Sequence, residues 1–161
     1  GSAEARLVEL MLAGVGKAKR IADLFCGIGT FTFPLARRAT VLAVDDDRAA
    51  LATLSAAQRG AQGVKPIEVK RRDLFREPLS PMELAGFDAI VIDPPRAGAK
   101  EQTEAIARSK LRLVVAVSCN PATLARDARI LIDAGFRLGA VTPIDQFVFS
   151  PHVEAVAVLK R

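Results

Sequence analysis

The chain has 161 residues, half of them apolar, which suits one domain with a sizeable core. No apolar run approaches the roughly 18 residues that a membrane span needs, and the start "GSAEARL" lacks a signal-peptide pattern. Cys26 and Cys119 lie too far apart in sequence for a zinc-site spacing or a disulfide framework, so we expect a reduced, cytoplasmic protein without a metal. The formal charge of +5 is compatible with a polyanionic partner.

Apolar runs of strand length alternate with helix-patterned segments along the whole chain. This alternation is typical of a parallel sheet covered on both faces. An opening helix is predicted in "AEARLVELMLAG", closed by Gly14 or Gly16, and the passage "FREPLSPMELAG" is predicted to be irregular. Strands are predicted at 20–25, 40–45, 65–71, 87–93, 111–118, 136–144 and 153–160, and helices at about 31–38, 47–59, 101–109 and 121–134.

The last two predicted strands leave no room for a helix between them, so we expect them to pair antiparallel at one edge. The resulting architecture is α/β and Rossmann-like: a seven-stranded, mostly parallel sheet with one antiparallel edge strand and helices on both faces. A ligand of such a sheet binds at the carboxyl ends of the central strands. The residues directly after each strand are therefore the candidates for a site.

The first two strands end in a glycine turn and an acid. In "DLFCGIGTF", Gly27 and Gly29 allow a sharp turn that brings backbone N–H groups near a ligand, although an ordinary strand-to-helix turn explains the pair equally well. In "VDDDRAA", Asp45 ends the strand where an acid can accept hydrogen bonds from a ribose diol. Asp46 and Asp47 are interpreted as the N-cap and a first-turn acid of the next helix.

The third and fourth strands also end in acids. Asp73 follows "KRR" at a position suited to an adenine amino group, and residues 70–72 are interpreted as a solvated basic run. In "DPPRAG", two prolines fix the backbone and direct Asp93 at whatever lies above the sheet. We therefore assign Asp93 to a functional site.

The fifth strand, "LRLVVAVS", leads into "CNPATLARD". An isolated cysteine is most often a small core residue. Cys119, however, lies one residue past the strand, and Asn120 and Pro121 turn the chain into a helix whose N-terminal dipole would stabilise a thiolate. This position favours a nucleophile in the neighbourhood of Asp93.

The last strand begins in "SPHVEAVAVLKR". Glu154 is a carboxylate at the start of an otherwise apolar strand, and the hairpin from Asp145 would fold back over the carboxyl side of the sheet. Glu154 would then reach a substrate bound near Cys119. A structural role and a functional one explain His152 equally well.

Together, "DLFCGIGTF", "DPPRAG", "SCNPATLARD" and "D-x-F-x-x-S-x-HVE" resemble the catalytic domain of RNA uracil-5 methyltransferases, in order and spacing, over about residues 20–161. The resemblance implies a class I methyltransferase fold, S-adenosylmethionine as cofactor, and a uridine of rRNA or tRNA as substrate. It implies that Cys119 is the nucleophile, Glu154 the base, and that Asp93 orients the uracil or the methionine end of the cofactor. The residues implied to bind the cofactor are Phe25, Gly27, Gly29, Thr30, Asp45, Asp73 and Asp93.

Residue types of this kind suit the chemistry that the resemblance implies. Carbon 5 of uracil is too poor a nucleophile to accept a methyl group unaided. Addition of the Cys119 thiolate at carbon 6 turns the ring into an enolate, and Glu154 can later remove the proton from carbon 5. Thiol, carboxylate and methyl donor must meet at one ring, which requires a base extruded from its RNA structure.

The resemblance also implies a division of the chain into a leading helix, residues 1–19, and a catalytic domain, residues 20–161. Family members generally carry a small RNA-binding β-barrel ahead of this domain, and some carry a four-cysteine iron–sulfur cluster. Neither fits before Arg20, and a Gln-containing cofactor motif expected upstream is also missing. We expect an excised catalytic domain or a natural short form.

Two other functions fit part of the sequence. An amino-group methyltransferase would need only the acid-proline-proline turn to hold its amine, without covalent catalysis. A module that binds the cofactor or RNA without catalysis would need neither Cys119 nor Glu154. Replacement of Cys119 by alanine separates covalent catalysis from the amino-group alternative, because only covalent catalysis depends on the thiol, and trapping with 5-fluorouridine RNA tests the module without catalysis.

Overall fold

The computed structural model describes residues 2–145 and 153–161. Strands and helices alternate along these residues, and the described part of the chain has no helix long and apolar enough to cross a membrane. The elements are α1 (Ser2–Val15), β1 (Arg20–Leu24), α2 (Thr32–Ala36), β2 (Thr40–Asp45), α3 (Arg48–Gly60), β3 (Ile67–Arg71), α4 (Pro81–Leu84), β4 (Ala89–Ile92), α5 (Lys100–Ala107), β5 (Leu113–Ser118), α6 (Pro121–Asp133), β6 (Arg137–Asp145) and β7 (Val153–Lys160).

The strands form one seven-stranded sheet in the order β3-β2-β1-β4-β5-β7-β6. Strand β7 pairs antiparallel with β5 and with β6, and all other pairs are parallel. The predicted α/β sheet with an antiparallel pair at one edge is therefore confirmed, and the reversed strand β7 lies inside the outermost strand β6. The strand order reverses between β1 and β4, so a crevice opens there at the carboxyl ends.

The central strands are buried on both faces, which explains why they read as continuous apolar runs. All four residues of β4 and five of the six in β5 are buried. One core lies between the sheet and α1, α2 and α3, and the other lies under α4, α5 and α6. Each fully buried large side chain, such as Met11 or Leu84, contributes about 1.5–3 kcal/mol through the hydrophobic effect. This double packing holds the carboxyl ends of the strands in fixed positions.

Helix α4 corrects one expectation, since the passage "FREPLSPMELAG" is not irregular throughout. The Ser80 hydroxyl accepts from the Glu83 N–H, and a Glu83 carboxylate oxygen accepts from the Ser80 N–H, each at 3.1 Å. This capping box, with Pro81 at the first helical position, stabilises a short helix. At the other end of the chain, α1 ends at Val15, directly before Gly16, so Gly14 does not close it.

Candidate active site

The turn after β1 is tied to the end of β2. The Gly27 N–H donates to Asp45 Oδ2 at 2.8 Å, and the Cys26 N–H donates to the Val44 carbonyl at 3.0 Å. Gly27 has a φ of +56°, a conformation that favours glycine, and a Cβ placed there would meet no atom within 4 Å. The backbone of this turn therefore faces open space beside the carboxyl end of the sheet.

A cleft of about 450 Å³ opens at the carboxyl ends of β1 to β4. Of the residues predicted to bind the cofactor, the ones that line this cleft are Phe25, Asp45, Asp73 and Asp93. The other three, Gly27, Gly29 and Thr30, belong to the adjacent turn, in which Thr30 is exposed and Gly29 is buried. The Phe25 and Phe75 rings lie 5.4 Å apart at 51° and form an aromatic wall. The sequence patterns did not point to Phe75.

The acids of β2 and β3 already hold neighbouring backbone. Asp45 Oδ1 accepts from the Asp47 N–H at 3.0 Å, in addition to the Gly27 bond of Oδ2. Asp73 Oδ1 accepts from the N–H groups of Phe75 and Arg76 at 2.9 and 3.3 Å. A carboxylate oxygen has a second lone pair, so both acids keep capacity for a ligand. Asp47 is the N-cap of α3 and accepts from the Ala50 N–H, whereas the predicted first-turn acid is wrong because the first turn of this helix contains no acid.

Arg72 is not part of a solvated basic run, as the sequence had suggested. Its guanidinium donates to both carboxylate oxygens of Glu83, at 2.7 and 2.8 Å, and to the Glu77 carbonyl at 2.7 Å. These hydrogen bonds lower the pKa of Glu83 to about 2 and raise that of Arg72. Arg72 therefore fastens the segment after β3 to α4 and stiffens one wall of the cleft.

Asp23 is a fully buried acid that the sequence patterns missed. Its Oδ2 accepts from the Thr32 hydroxyl at 2.6 Å, whereas Oδ1 has no partner among the described residues. Burial raises the pKa of Asp23 to about 7, against the effect of the Thr32 hydrogen bond and with help from the charge of Asp45. An acid inside the apolar run "IADLF" was the signal that could have revealed it.

Asp93 and Glu154 continue this row of acids toward β7. Burial, together with the charges of Glu154 and Asp23, raises the pKa of Asp93 to about 7. Burial also raises the pKa of Glu154, whose Oε2 is buried without a partner among the described residues. The charges of Glu154 and Asp23 thus act on Asp93, and a bound cation would stabilise its ionised form.

Cys119 lies between β5 and α6 and is partly exposed. The Asn120 N–H donates to the Ser118 hydroxyl, which itself donates to the Asn120 carbonyl, both at 3.0 Å. Asn120 caps α6 by accepting from the Ala122 N–H at 3.1 Å. The sulfur thus precedes a capped helix N-terminus, as predicted, outside the packed interior. By contrast, burial raises the pKa of the Cys26 thiol, which is a core residue.

The register of β5 and β7 brings the ends that carry Cys119 and Glu154 together. Ser118 pairs with Ala155 in this antiparallel ladder, so the next positions outward on the two strands are 119 and 154. His152 and the rest of the predicted hairpin, 146–152, lie outside the described residues. Within the described ranges, no group of three or more His, Cys, Asp or Glu is arranged to hold a metal ion.

A family model described as tRNA (uracil-5-)-methyltransferase matches residues 5–161. An uncharacterized RNA methyltransferase of Agrobacterium fabrum is 58% identical over 159 residues, which are 99% of this chain and 38% of that protein. The 23S rRNA (uracil(1939)-C(5))-methyltransferase RlmD of Pseudomonas putida is 42% identical over 144 residues, 88% of this chain and 32% of that protein. The chain therefore spans less than half the length of these relatives.

Solved structures give the same picture of the fold. A tRNA (uracil-54, C5)-methyltransferase of Pyrococcus abyssi, crystallised with S-adenosyl-L-homocysteine, superposes with a TM-score of 0.82 at 31% identity, covering 97% of this chain and 38% of that one. A magnesium protoporphyrin IX methyltransferase of Synechocystis with bound SAM has a TM-score of 0.70 at 16% identity, covering 99% of this chain and 79% of that one. The second likeness concerns the fold alone. Both confirm the expected Rossmann-like methyltransferase architecture.

Proposed function

Because the chain belongs to the tRNA (uracil-5-)-methyltransferase family, we propose that it methylates carbon 5 of a uridine in RNA with S-adenosylmethionine as cofactor. The cofactor would supply a methyl group from a cationic sulfonium, whose sulfur–methyl bond breaks to leave the neutral thioether S-adenosylhomocysteine. The RNA is an rRNA or a tRNA, the two classes that the similar proteins of Pseudomonas putida and Pyrococcus abyssi act on. The reaction takes place in the cytoplasm.

The cleft at the carboxyl ends of β1 to β4 fits this cofactor. Asp45 is positioned for a ribose diol, and the free lone pairs of Asp73 suit an adenine amino group. The Phe25–Phe75 wall offers an apolar surface to a flat ring. Asp93 lines the cleft and can supply the negative charge that an ammonium or sulfonium group requires, since a bound cation would favour the ionised form of this acid.

In the proposed mechanism, the Cys119 thiolate adds to carbon 6 of the uracil, and the carbon 5–carbon 6 π electrons move into an enolate. The enolate restores its carbonyl as carbon 5 takes the methyl group. Glu154 then removes the proton from carbon 5, the ring double bond forms again, and the sulfur–carbon bond breaks to release the thiolate. Asp93 orients the uracil or the methionine end of the cofactor.

The β5–β7 register is the observation that carries this mechanism. Pairing of Ser118 with Ala155 leaves the thiol-bearing and carboxylate-bearing positions next to each other at one end of the sheet. Burial and an unpartnered Oε2 make Glu154 a stronger proton acceptor than an exposed carboxylate. Both groups are needed on the same ring, at successive steps.

The test uses RNA that contains 5-fluorouridine, because fluorine cannot leave as a proton does and the covalent complex persists. With RNA and S-adenosylmethionine in excess, we expect a slowly migrating protein–RNA adduct on a denaturing gel. Cys119→Ala abolishes the adduct, and the matched control Cys26→Ala, which removes the other thiol, retains it. Activity of Cys119→Ala on ordinary RNA above about a hundredth of the unmodified level excludes covalent catalysis and favours the amino-group methyltransferase alternative.

A further inference from the structure

The loop that follows Asp93, residues 94–99, is bonded to the start of α6 directly after Cys119. The Arg96 carbonyl accepts from the Asn120 side-chain amide at 2.9 Å and from the Thr123 hydroxyl at 3.0 Å. Both donors belong to "SCNPATLARD", whose role beyond the cysteine the sequence left open. One carbonyl of this loop is thus held by two side chains of the next motif.

The second turn of α6 holds the same loop further along. Arg126 Nη2 donates to the Ala97 carbonyl at 3.0 Å, and Asp127 Oδ2 accepts from the Ala99 N–H at 2.8 Å. Ala99 is the N-cap residue of α5 and has no side-chain cap of its own, so Asp127 supplies this cap from a neighbouring helix. Arg126 and Asp127 also bond each other at 3.0 Å, which orders both side chains.

The loop approaches α6 too closely for any side chain at Gly98. A Cβ at this position would lie 2.6 Å from Arg126 Nη2 and 2.9 Å from Asp127 Oδ2, and its φ is +76°. Under the loop, a cavity of about 20 Å³ lined by Pro94, Ser118 and other residues of the sheet and α6 has room for about one water. The hydrogen bonds from α6 to the loop 94–99 therefore fix the distance between the loop and this helix.

We infer that Asn120, Thr123, Arg126 and Asp127 are positioning residues, which fix Asp93 relative to Cys119 by holding the loop 94–99 against α6. This inference rests on the proposed function. Asp93 leads into the loop, and Asn120 follows the cysteine, so a shift of the loop changes the separation of the two groups. A misplacement of about 1 Å costs about a hundredfold in rate when reacting groups must meet in one geometry.

The experiment measures the rate of adduct formation with 5-fluorouridine RNA and S-adenosylmethionine. Thr123→Val replaces the hydroxyl by a methyl group of similar size and removes a bond to Arg96, and we expect a rate lower by about tenfold. Thr123→Ser keeps the hydroxyl but loses a methyl group, and we expect a rate within about twofold of the unmodified protein. Both variants should bind S-adenosylhomocysteine unchanged in calorimetry. If the rate of adduct formation in both variants instead falls in proportion to the loss of Tm, the inference is overturned.

Asn120→Asp gives a second, independent variant. Aspartate still caps α6 but cannot donate to the Arg96 carbonyl, so helix stability is retained while the loop contact is lost. A negative charge beside Cys119 would also disfavour the thiolate, an effect that higher pH reverses. At the high pH where the rate of adduct formation no longer changes with pH, we expect the rate of this variant to remain at least about fivefold below that of the unmodified protein. Full recovery at high pH assigns the effect to charge and overturns the inference.

Hydrogen–deuterium exchange gives a readout that is independent of the reaction. In Thr123→Val and Asn120→Asp, we expect faster exchange in the peptide that covers residues 96–99 and unchanged exchange in β1. If the unmodified protein forms no adduct, the proposed function fails and this inference fails with it. If the unmodified protein and all three variants form the adduct within about twofold of one rate, the positioning inference alone is overturned.

Discussion

The two halves of the carboxyl edge treat their acids differently. At the ends of β2 and β3, Asp45 accepts hydrogen bonds from backbone N–H groups of its own turn and of the turn after β1, and Asp73 accepts from those of its own turn. On β4 and β7, Asp93 and Glu154 lie in a less solvated environment that raises the pKa of both, and Glu154 Oε2 has no partner in the described part of the chain. In the first half the acids hold the backbone in place, and in the second the raised pKa values suit the proton transfer that we propose.

The difference follows from the cost of burying a carboxylate. Backbone donors replace lost water at Asp45, whereas an unpartnered buried oxygen keeps its desolvation penalty and prefers the protonated form. Asp23 stands at the boundary, with one oxygen bonded to Thr32 and the other unpartnered. Groups whose pKa is displaced in this way cluster at functional sites. The comparison therefore predicts binding defects from the first half and chemical or pH-dependent defects from the second.

The largest expected effect is that of Glu154→Gln. Without the base, methyl transfer should proceed while release stalls, and turnover should fall by about a thousandfold. Mass spectrometry of the protein–RNA mixture should then detect a methylated covalent complex with ordinary RNA. Rapid turnover of this variant would show that another group takes the proton and that the two halves do not differ in chemistry.

The next effect concerns stability and pH. Because the folded-state pKa of Asp23 is raised from 3.8 to about 7, its contribution to stability is fully present below about pH 4 and is lost as pH rises to about 7. Over this interval Asp23 lowers the free energy of unfolding by at most about 4 kcal/mol. Asp23→Asn should flatten the profile measured by urea denaturation. The exposed control Asp133→Asn should not change it, and equal slopes in all three proteins would contradict the raised pKa.

A smaller effect is expected from the cofactor half. Asp45→Ala removes the acceptor of the Gly27 N–H, which loosens the turn as well as the proposed ribose contact. The Kd for S-adenosylmethionine, measured by calorimetry, should rise about thirtyfold, which corresponds to about 2 kcal/mol for a hydrogen-bonded charge. Asp133→Ala serves as the control. A change in the rate of adduct formation at saturating cofactor, with the Kd unchanged, would show that Asp45 acts in the chemical steps and not in cofactor binding.

The smallest effect is that of Glu83→Gln. The Arg72–Glu83 pair is bidentate but partly exposed, so its loss should lower the free energy of unfolding by about 1 kcal/mol or less. The lowered pKa of Glu83 means that this stability is present above about pH 4.5 and is lost as pH falls through about 2. Thermal unfolding of both proteins at low and high salt measures the contribution of this ion pair to stability. A loss of several kcal/mol would show that the cleft wall depends on it.

The positions of the strands and the acids at their ends were predictable because buried parallel strands are continuous apolar runs and each ends in a turn signal, whereas the order of the strands in the sheet was not predicted. Asp45, Asp73 and Asp93 were found in this way, and all three line the cleft. Asp23 was not predicted because it lies inside its strand, whereas only the residues directly after each strand were considered as candidates. Phe75 has no distinguishing neighbour in sequence, since its partner Phe25 is a tertiary contact.

Side-chain contacts between residues that are distant in sequence also explain the other features that the sequence analysis did not predict. Arg72 read as part of a solvated run because its partner Glu83 belongs to a helix that the sequence patterns missed. Asn120 and Thr123 belong to the most specific motif of the chain, yet their bonds go to a loop that lies 24 and 27 residues earlier. Composition and periodicity carry no information on such contacts.

Strand β7 enters the sheet between two strands that precede it in the chain. The pairing of β5 and β6 with the rest of this edge therefore depends on residues that are synthesised after both strands. The position of Glu154 beside that of Cys119 is completed by this insertion and not by local folding. In a nascent chain, the position beside that of Cys119 is therefore filled only after β7 has been synthesised.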